Sequence, residues 1–160
     1  MPKITVRQAI IEDADLLLGF IYELAKMETA EHEVKNNKEL VSKFVFGKNA
    51  TTHAVICELE GKPIGHAIYF FNYSTRLGKN GLYIEDLYIS PMYRNCGAGR
   101  EIIKHLSCLA LKKDCSHLEL AVYGWNQPAV KFYESLGGEI QNGLFLYRFS
   151  GNNLKQVICS

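Results

Sequence analysis

Three groups of residues in this 160-residue chain have types and spacings that could do chemistry. The first is Glu85-Asp86, an acidic pair inside the run Leu82 to Ile89, whose β-branched and aromatic residues read as a strand. Carboxylates there can hold a cation or accept a proton. Adjacent strand residues face opposite sides, so both reach one spot only if a bulge intervenes. The second is Arg94-x-x-Gly97-x-Gly99, after Ser90-Pro91 closes the strand. It opens a run with Ile102, Ile103, Leu106, Leu109 and Ala110 at helical spacing. Strand, glycine loop and helix N-terminus aim backbone N–H groups at one point with the helix dipole behind them, which suits an anion. The third is Tyr133, in a helix read with Asn126 as cap, Pro128 in its first turn and Gly137 as its stop. Phe132 and Leu136 form its inward stripe. The Tyr133 phenol reads either as an ordinary core tyrosine or as a polar handle on a buried helix.

The glycine loop lacks the Lys-Ser/Thr of a P-loop, and Ile102 stands where a dinucleotide fingerprint has its third glycine. Its pattern resembles the coenzyme A pyrophosphate loop of the GNAT superfamily of N-acetyltransferases. Asn126-x-x-Ala129-x-x-Phe132-Tyr133-x-x-x-Gly137 resembles the second signature of that superfamily, in the expected order. Within it the chain is most similar to the diamine/polyamine and thialysine acetyltransferase branch. That similarity rests on Glu23-Leu24-Ala25-Lys26-x-Glu28, Tyr73-x-x-x-Leu77-Gly78-Lys79 and Tyr83-Ile84-Glu85-Asp86, and runs from Ile4 to about Phe149.

The resemblance implies acetyl-CoA as co-substrate and a primary amine of a small molecule (diamine, polyamine or lysine-like amino acid) as acceptor. It places the pyrophosphate on Arg94, Asn95, Cys96, Gly97, Ala98, Gly99 and Arg100, and the pantetheine arm along Leu87, Tyr88 and Ile89. Asn126 and Tyr133 become further coenzyme contacts. An alkyl amine, with pKa near ~10, must lose a proton before it attacks, and the departing thiolate, near ~8.5, leaves more readily when protonated. By resemblance Glu85 is the general base, through a water, and Tyr133 the general acid. Glu28, Glu85 and Asp86 line the acceptor site. One loop departs from the branch: Ser74 and Arg76 stand where the polyamine members carry an acid and a tryptophan. Arg76 either favours an acceptor bearing a carboxylate or points to solvent. The resemblance also implies a homodimer, with a strand over Leu144 to Phe149 helping to build the interface. Two rivals remain: a protein or peptide N-acetyltransferase with a wider cleft, and a non-catalytic acetyl-CoA-binding module. The presence of both Glu85 and Tyr133 speaks against the second.

The bulk numbers bound the rest. The length suits a single domain over residues 1–160. A formal net charge of +1 offers no bulk attraction to nucleic acid or an anionic membrane. Met1-Pro2-Lys3 leads into an alternating strand rather than a signal peptide, and the apolar runs fall far short of the ~18 residues of a membrane span. Five cysteines, an odd number without Cys-x-x-Cys spacing, point to a reducing, cytoplasmic setting with neither disulfides nor a zinc site. His105 and Cys108 are three apart on a helix, but no second ligand pair joins them, so no metal is expected.

The elements that must position these residues follow in order. A short strand runs from Ile4 to Ala9, and Asp13 caps a helix with Leu16, Leu17, Phe20, Ile21 and Leu24 inward. That helix and its exit carry the acidic cluster Glu23, Glu28, Glu31 and Glu33. Asn36-Asn37 starts a second helix with Leu40, Val41, Phe44 and Val45 inward. Strands over His53–Glu60 and Ile64–Tyr73 are joined by a hairpin turn, and a polar loop leads to the acidic strand. After the long helix come a strand at Leu118–Val122, the Tyr133 helix, the strand Leu144–Phe149 and a last apolar segment, Val157-Ile158. The order β-α-α-β-β-β-α-β-α-β-β gives an α/β chain with a mixed sheet covered by helices on both faces and two right-handed βαβ-type connections. In the GNAT fold the fourth and fifth strands splay, and the thioester arm enters the gap.

Overall fold

A computed structural model describes residues 2–159. The chain divides into two compact units, Met1–Ala121 and Val122–Ser160.

The first unit is built on one five-stranded sheet in the order β1-β2-β3-β4-β5. Its elements are β1 (Ile4–Gln8), α1 (Ala14–Met27), α2 (Lys38–Phe46), β2 (Thr52–Leu59), β3 (Lys62–Ser74), β4 (Lys79–Ile89), α3 (Ala98–Lys112) and β5 (His117–Leu120). The first four strands pair antiparallel, and β5 joins β4 in parallel after the α3 crossover. The β2–β3 hairpin turns through Glu60 and Gly61, both at positive φ (50° and 77°), the geometry of a two-residue type I′ turn. Strand β3 therefore begins at Lys62, with Pro63 inside it. A register shift at Cys57/Glu58 leaves Ile64 as the extra residue on β3, and a bulge of that kind is where a sheet tolerates proline.

Alternation sends two cores to the two faces. Val55, Cys57, Ala67, Tyr69, Leu82 and Ile84 pack against Ile102, Leu106 and Ala110 of α3. Ala54, Ile56 and Ile68 pack on the other face against Leu17 of α1 and Val41 of α2. Asp13 occupies the N-cap position of α1 but makes no cap bond to it. Its carboxylate instead accepts from the Ile10 N–H at 2.8 Å and from Arg7 at 2.7 Å and 3.0 Å, and Arg7 also reaches Glu58 at 2.7 Å. Asn37 caps α2 as expected, accepting from the Leu40 N–H at 2.9 Å.

The second unit holds α4 (Gln127–Ser135) and α5 (Asn152–Cys159). Two sequence expectations fail here. Residues 144–149 are in neither helix nor strand, and Leu144, Phe145, Leu146 and Tyr147 are each more than three-quarters exposed. A run apolar on both faces becomes a strand only where a neighbouring strand supplies ladder bonds, and this stretch pairs with none among the described residues. Val157 and Ile158 lie in α5 rather than in a strand. The second βαβ connection is therefore absent, and the observed order ends β5-α4-α5.

Candidate active site

The site starts from a fault in the ladder. Ile68 pairs with Asp86 but Tyr69 pairs with Ile84, so Glu85 is an extra residue on β4. This bulge changes which side each later residue faces: Leu82 and Ile84 point into the α3 core before it, Leu87 and Ile89 after it. Glu85 and Asp86 thus escape the alternation that would have separated them. Both line one pocket of about 270 Å³ on the face shared with α1 and α2, walled by Ile21, Leu40, Phe44 and Ile68. Glu85 is exposed and Asp86 half-buried.

Glu28 sits at the C-terminal cap of α1, its N–H bonded to the Leu24 and Ala25 carbonyls. Burial raises its carboxyl above the ordinary range, and the Asp86 charge raises it further. The acidic cluster thereby divides: Glu23, Glu31 and Glu33 are exposed, whereas Glu28 is half-buried and feels the Asp86 carboxylate.

Beyond the bulge, β4 has a free edge. Strand β5 pairs only with Gly81 to Ile84, so residues 85–89 have no strand partner on that side among the described residues. Polar backbone groups along such an edge are available to an extended ligand. The edge leads through Ser90 and a short 3₁₀ turn, Pro91–Tyr93, into the glycine loop.

Asn95 and Gly97 both take positive φ, 61° and 93°. Gly97 is the N-cap of α3 and no side chain caps that helix, so its first-turn N–H groups keep their donors unassigned. A Cβ on Gly97 would meet nothing within 4 Å. Together these features form a backbone cradle with the positive end of α3 beneath it, which fits a pyrophosphate. Arg94 is held beside it, donating from Nε to the Ile89 carbonyl at 3.1 Å and from Nη2 to Met27 Sδ at 2.8 Å. Arg94, Asn95, Cys96, Gly97 and Arg100 are exposed, while Ala98 is buried under the loop.

In the second unit, Asn126 caps α4 by accepting from the Ala129 N–H at 3.4 Å, which leaves its amide N–H groups free to donate. Gly137, at φ 89°, ends the helix. Burial pushes the Tyr133 phenol up to about 12, so it stays protonated through the neutral range.

Several site residues escaped the sequence reading. Leu40 and Phe44, expected in the core, are 36% and 55% exposed and wall the pocket beside Glu85 and Asp86 instead. Their signal was present, since the apolar stripe of α2 is wider than its single buried residue, Val41, requires. Asn36 and Thr52 also line the pocket, with Val41 and Val45. His66, fully buried with its Nε2 3.7 Å from an Asp86 carboxylate oxygen, carried no signal beyond being a histidine in a strand. Among the described residues no group of three His, Cys, Asp or Glu side chains is placed to hold a metal. No described helix is long and apolar enough to cross a membrane.

The chain is similar to known proteins. A mouse (Mus musculus) thialysine N-epsilon-acetyltransferase is 34% identical over 168 aligned residues, covering 98% of each chain. A human (Homo sapiens) spermidine/spermine N(1)-acetyltransferase-like protein is 30% identical across 96% of this chain, which matches 24% of that longer protein. An integron cassette protein from the mobile metagenome of V. cholerae superimposes with a TM-score of 0.81 over 98% of both chains at 23% identity, a likeness of fold. The acetyltransferase (GNAT) family itself matches residues 18–138, from α1 through the end of the Tyr133 helix. That span, with a full-length relative at 34% identity, makes this chain a member of the acetyltransferase (GNAT) family.

Proposed function

We propose that the protein, working as one domain over its whole length, transfers an acetyl group from acetyl-CoA to the primary amine of a small molecule, of the diamine, polyamine or lysine-like class. The observation that carries this reading is the β4 bulge, which puts Glu85 and Asp86 together on the wall of a small, mostly apolar pocket. About 270 Å³ lies at the small end of ligand sites and suits a short alkyl amine better than a peptide. Leu40, Phe44 and Ile21 supply a surface for methylene groups, and Glu28, Glu85 and Asp86 supply negative charge for the ammonium.

Acetyl-CoA brings the acetyl group as a thioester. The cradle from Arg94 to Gly99, with Arg100, holds its pyrophosphate, the β4 edge at Leu87 to Ile89 meets its pantetheine arm, and Asn126 and Tyr133 add contacts. Glu85, the more exposed carboxylate, takes the acceptor's proton through a water, while Asp86 and Glu28 hold and orient the ammonium. Tyr133 gives a proton to the departing thiolate, a role that needs the phenol protonated at neutral pH. Names of relatives support the acceptor class: thialysine, spermidine/spermine and L-ornithine appear in them.

A homodimer in a reducing, cytoplasmic setting completes the reading. The exposed apolar side chains of Leu144 to Tyr147 support the dimer, since contiguous apolar surface of that kind calls for cover. Light scattering at micromolar concentration checks it, with a monomer mass contradicting it. The functional test is acetyl-CoA turnover against thialysine, ornithine, a short diamine, spermidine and a lysine-bearing peptide. Turnover of a free amine well above the peptide is expected. Turnover of the peptide alone, or binding of acetyl-CoA without turnover of any amine, overturns the reading.

A further inference from the structure

His66 is 0% exposed, and neither ring nitrogen has a hydrogen-bond partner among the described residues. A buried polar group left in that state needs a reason, because a phenylalanine would fill the same space without it. The ring is one corner of a three-ring cluster with Phe20 and Tyr88, whose own centroids lie 5.5 Å apart. It stacks on Phe20 of α1 with centroids 5.6 Å apart and planes 4° apart, and Tyr88 of β4 lies against it at 6.2 Å. The register sets its direction: His66 pairs with Tyr88 and Ile68 with Asp86, so His66 and Asp86 are diagonal neighbours on the pocket face. Nε2 points at Asp86 Oδ2 from 3.7 Å. That is beyond a hydrogen bond, and a small rotation of the half-buried carboxylate closes it, as happens when a site tightens on its substrate.

We propose that His66 is a positioning residue for the acceptor amine: its Nε2–H, held by the Phe20 stack, steers the Asp86 carboxylate that meets the ammonium. The proposal rests on the reading of Asp86 as an acceptor contact. It also divides the work within the acidic group. Asp86 has a donor aimed at it from the protein interior, whereas Glu28, raised by burial and by Asp86 itself, has none among the described residues. The Nε2–H tautomer is the one this arrangement selects, because Nδ1 has no acceptor beside it.

The test uses the full chain, saturating acetyl-CoA and whichever of thialysine, a short diamine and spermidine is turned over best. His66→Phe keeps the ring, the stack and the burial but removes both nitrogens. The acceptor KM should rise on the order of tenfold, with kcat and the acetyl-CoA KM little changed. The thermal midpoint should hold or rise, since two orphaned nitrogens are gone. His66→Gln, which restores an N–H donor, should recover part of the loss. In an Asp86→Asn background, His66→Phe should add nothing further, because His66 acts only through Asp86. Acceptor KM raised by Asp86→Asn but unmoved by His66→Phe overturns the proposal alone, and additive effects in the double variant do the same. An acceptor KM unmoved by Asp86→Asn overturns the acceptor reading of Asp86 and the proposal with it. Imidazole ¹⁵N spectra give a readout free of turnover: an Nε2–H tautomer whose Nε2 signal moves in Asp86→Asn is expected, and an Nδ1–H tautomer indifferent to that change refutes it.

Discussion

Gly97 offers the sharpest test of the anion cradle, because two substitutions separate shape from charge. Its φ of 93° strains any side-chain-bearing residue, yet a Cβ there meets nothing within 4 Å. Gly97→Ala therefore costs backbone strain alone, roughly 1–2 kcal/mol of stability. Gly97→Glu carries the same strain and adds a carboxylate at the uncapped start of α3. If that carboxylate stands ~5 Å from the pyrophosphate, each pair of charges repels by about 0.8–3.3 kcal/mol at an effective dielectric of ~20–80. Two pyrophosphate charges bring this to about 2–7 kcal/mol. At 1.4 kcal/mol per factor of ten, even the low end is a loss of roughly 20-fold in affinity beyond the alanine variant. Calorimetry with acetyl-CoA at ~0.01 M salt, where the Debye length is ~30 Å, shows the effect at its fullest, and the gap between variants should narrow as salt is added. Thermal melting checks that the two variants are equally folded. A folded Gly97→Glu protein that binds acetyl-CoA within threefold of Gly97→Ala at low salt refutes the placement of the pyrophosphate.

Four further outcomes are expected. Tyr133→Phe should lower kcat by ~10²–10⁴ with acetyl-CoA affinity little changed, and a loss under threefold in steady-state assays assigns the tyrosine to packing. Gly65→Ala would drive a Cβ to 2.2 Å from the Tyr88 carbonyl oxygen and 2.6 Å from Ile89 Cδ1. Overpacking against a fixed ladder costs about 1–3 kcal/mol, so the melting midpoint should fall by several degrees at ~2–4 °C per kcal/mol. The Asp13 carboxyl is held below its ordinary value, chiefly by the Arg7 guanidinium and also by the Ile10 N–H. Its contribution to stability is complete above the unfolded value, near ~4, and is lost as pH falls through the lower folded one. Asp13→Asn should therefore destabilise the protein at pH 7 and flatten its acid unfolding profile below pH ~4, as read by urea melts. Arg76 is exposed in the β3–β4 turn, and Lys79 to Glu85 spans about 20 Å at ~3.3 Å per residue, well past a screening length of ~8–10 Å. Arg76→Ala should leave the ranking of amine substrates unchanged, and a reordering beyond threefold in kcat/KM contradicts that.

The correspondence between chain and structure is uneven for identifiable reasons. Helix ends were readable where a single residue sets the local geometry: Asn37 and Asn126 cap α2 and α4, and Gly137 ends α4 in the left-handed region. The hairpin turn between β2 and β3 was readable for the same reason, although β3 begins at Lys62 rather than Ile64. Asp13 was recognised as a helix start, but its buried carboxylate bonds to Arg7 and Ile10, because a charged guanidinium partner competes successfully with the helix N–H groups. Residues 144–149 have the composition of a strand without its pairing, and composition cannot supply a neighbour.

The candidate site divides in the same way. Family membership and the choice of the glycine loop, Glu85, Asp86, Glu28 and Tyr133 as candidates came from short-range pattern, because a glycine that needs positive φ or a cap that needs an Asn side chain acts within a few residues. Whether Glu85 and Asp86 face the same pocket depended on one extra residue in the β3–β4 register, which two strands must settle between them. The turning of Leu40 and Phe44 from core to pocket wall depended on how far the sheet face extends beneath α2. The approach of His66 to Asp86 depended on a diagonal across two strands and a ring stack from α1. These are contacts between elements far apart in the chain, and only the packed sheet, with its twist, bulges and covering helices, brings them together.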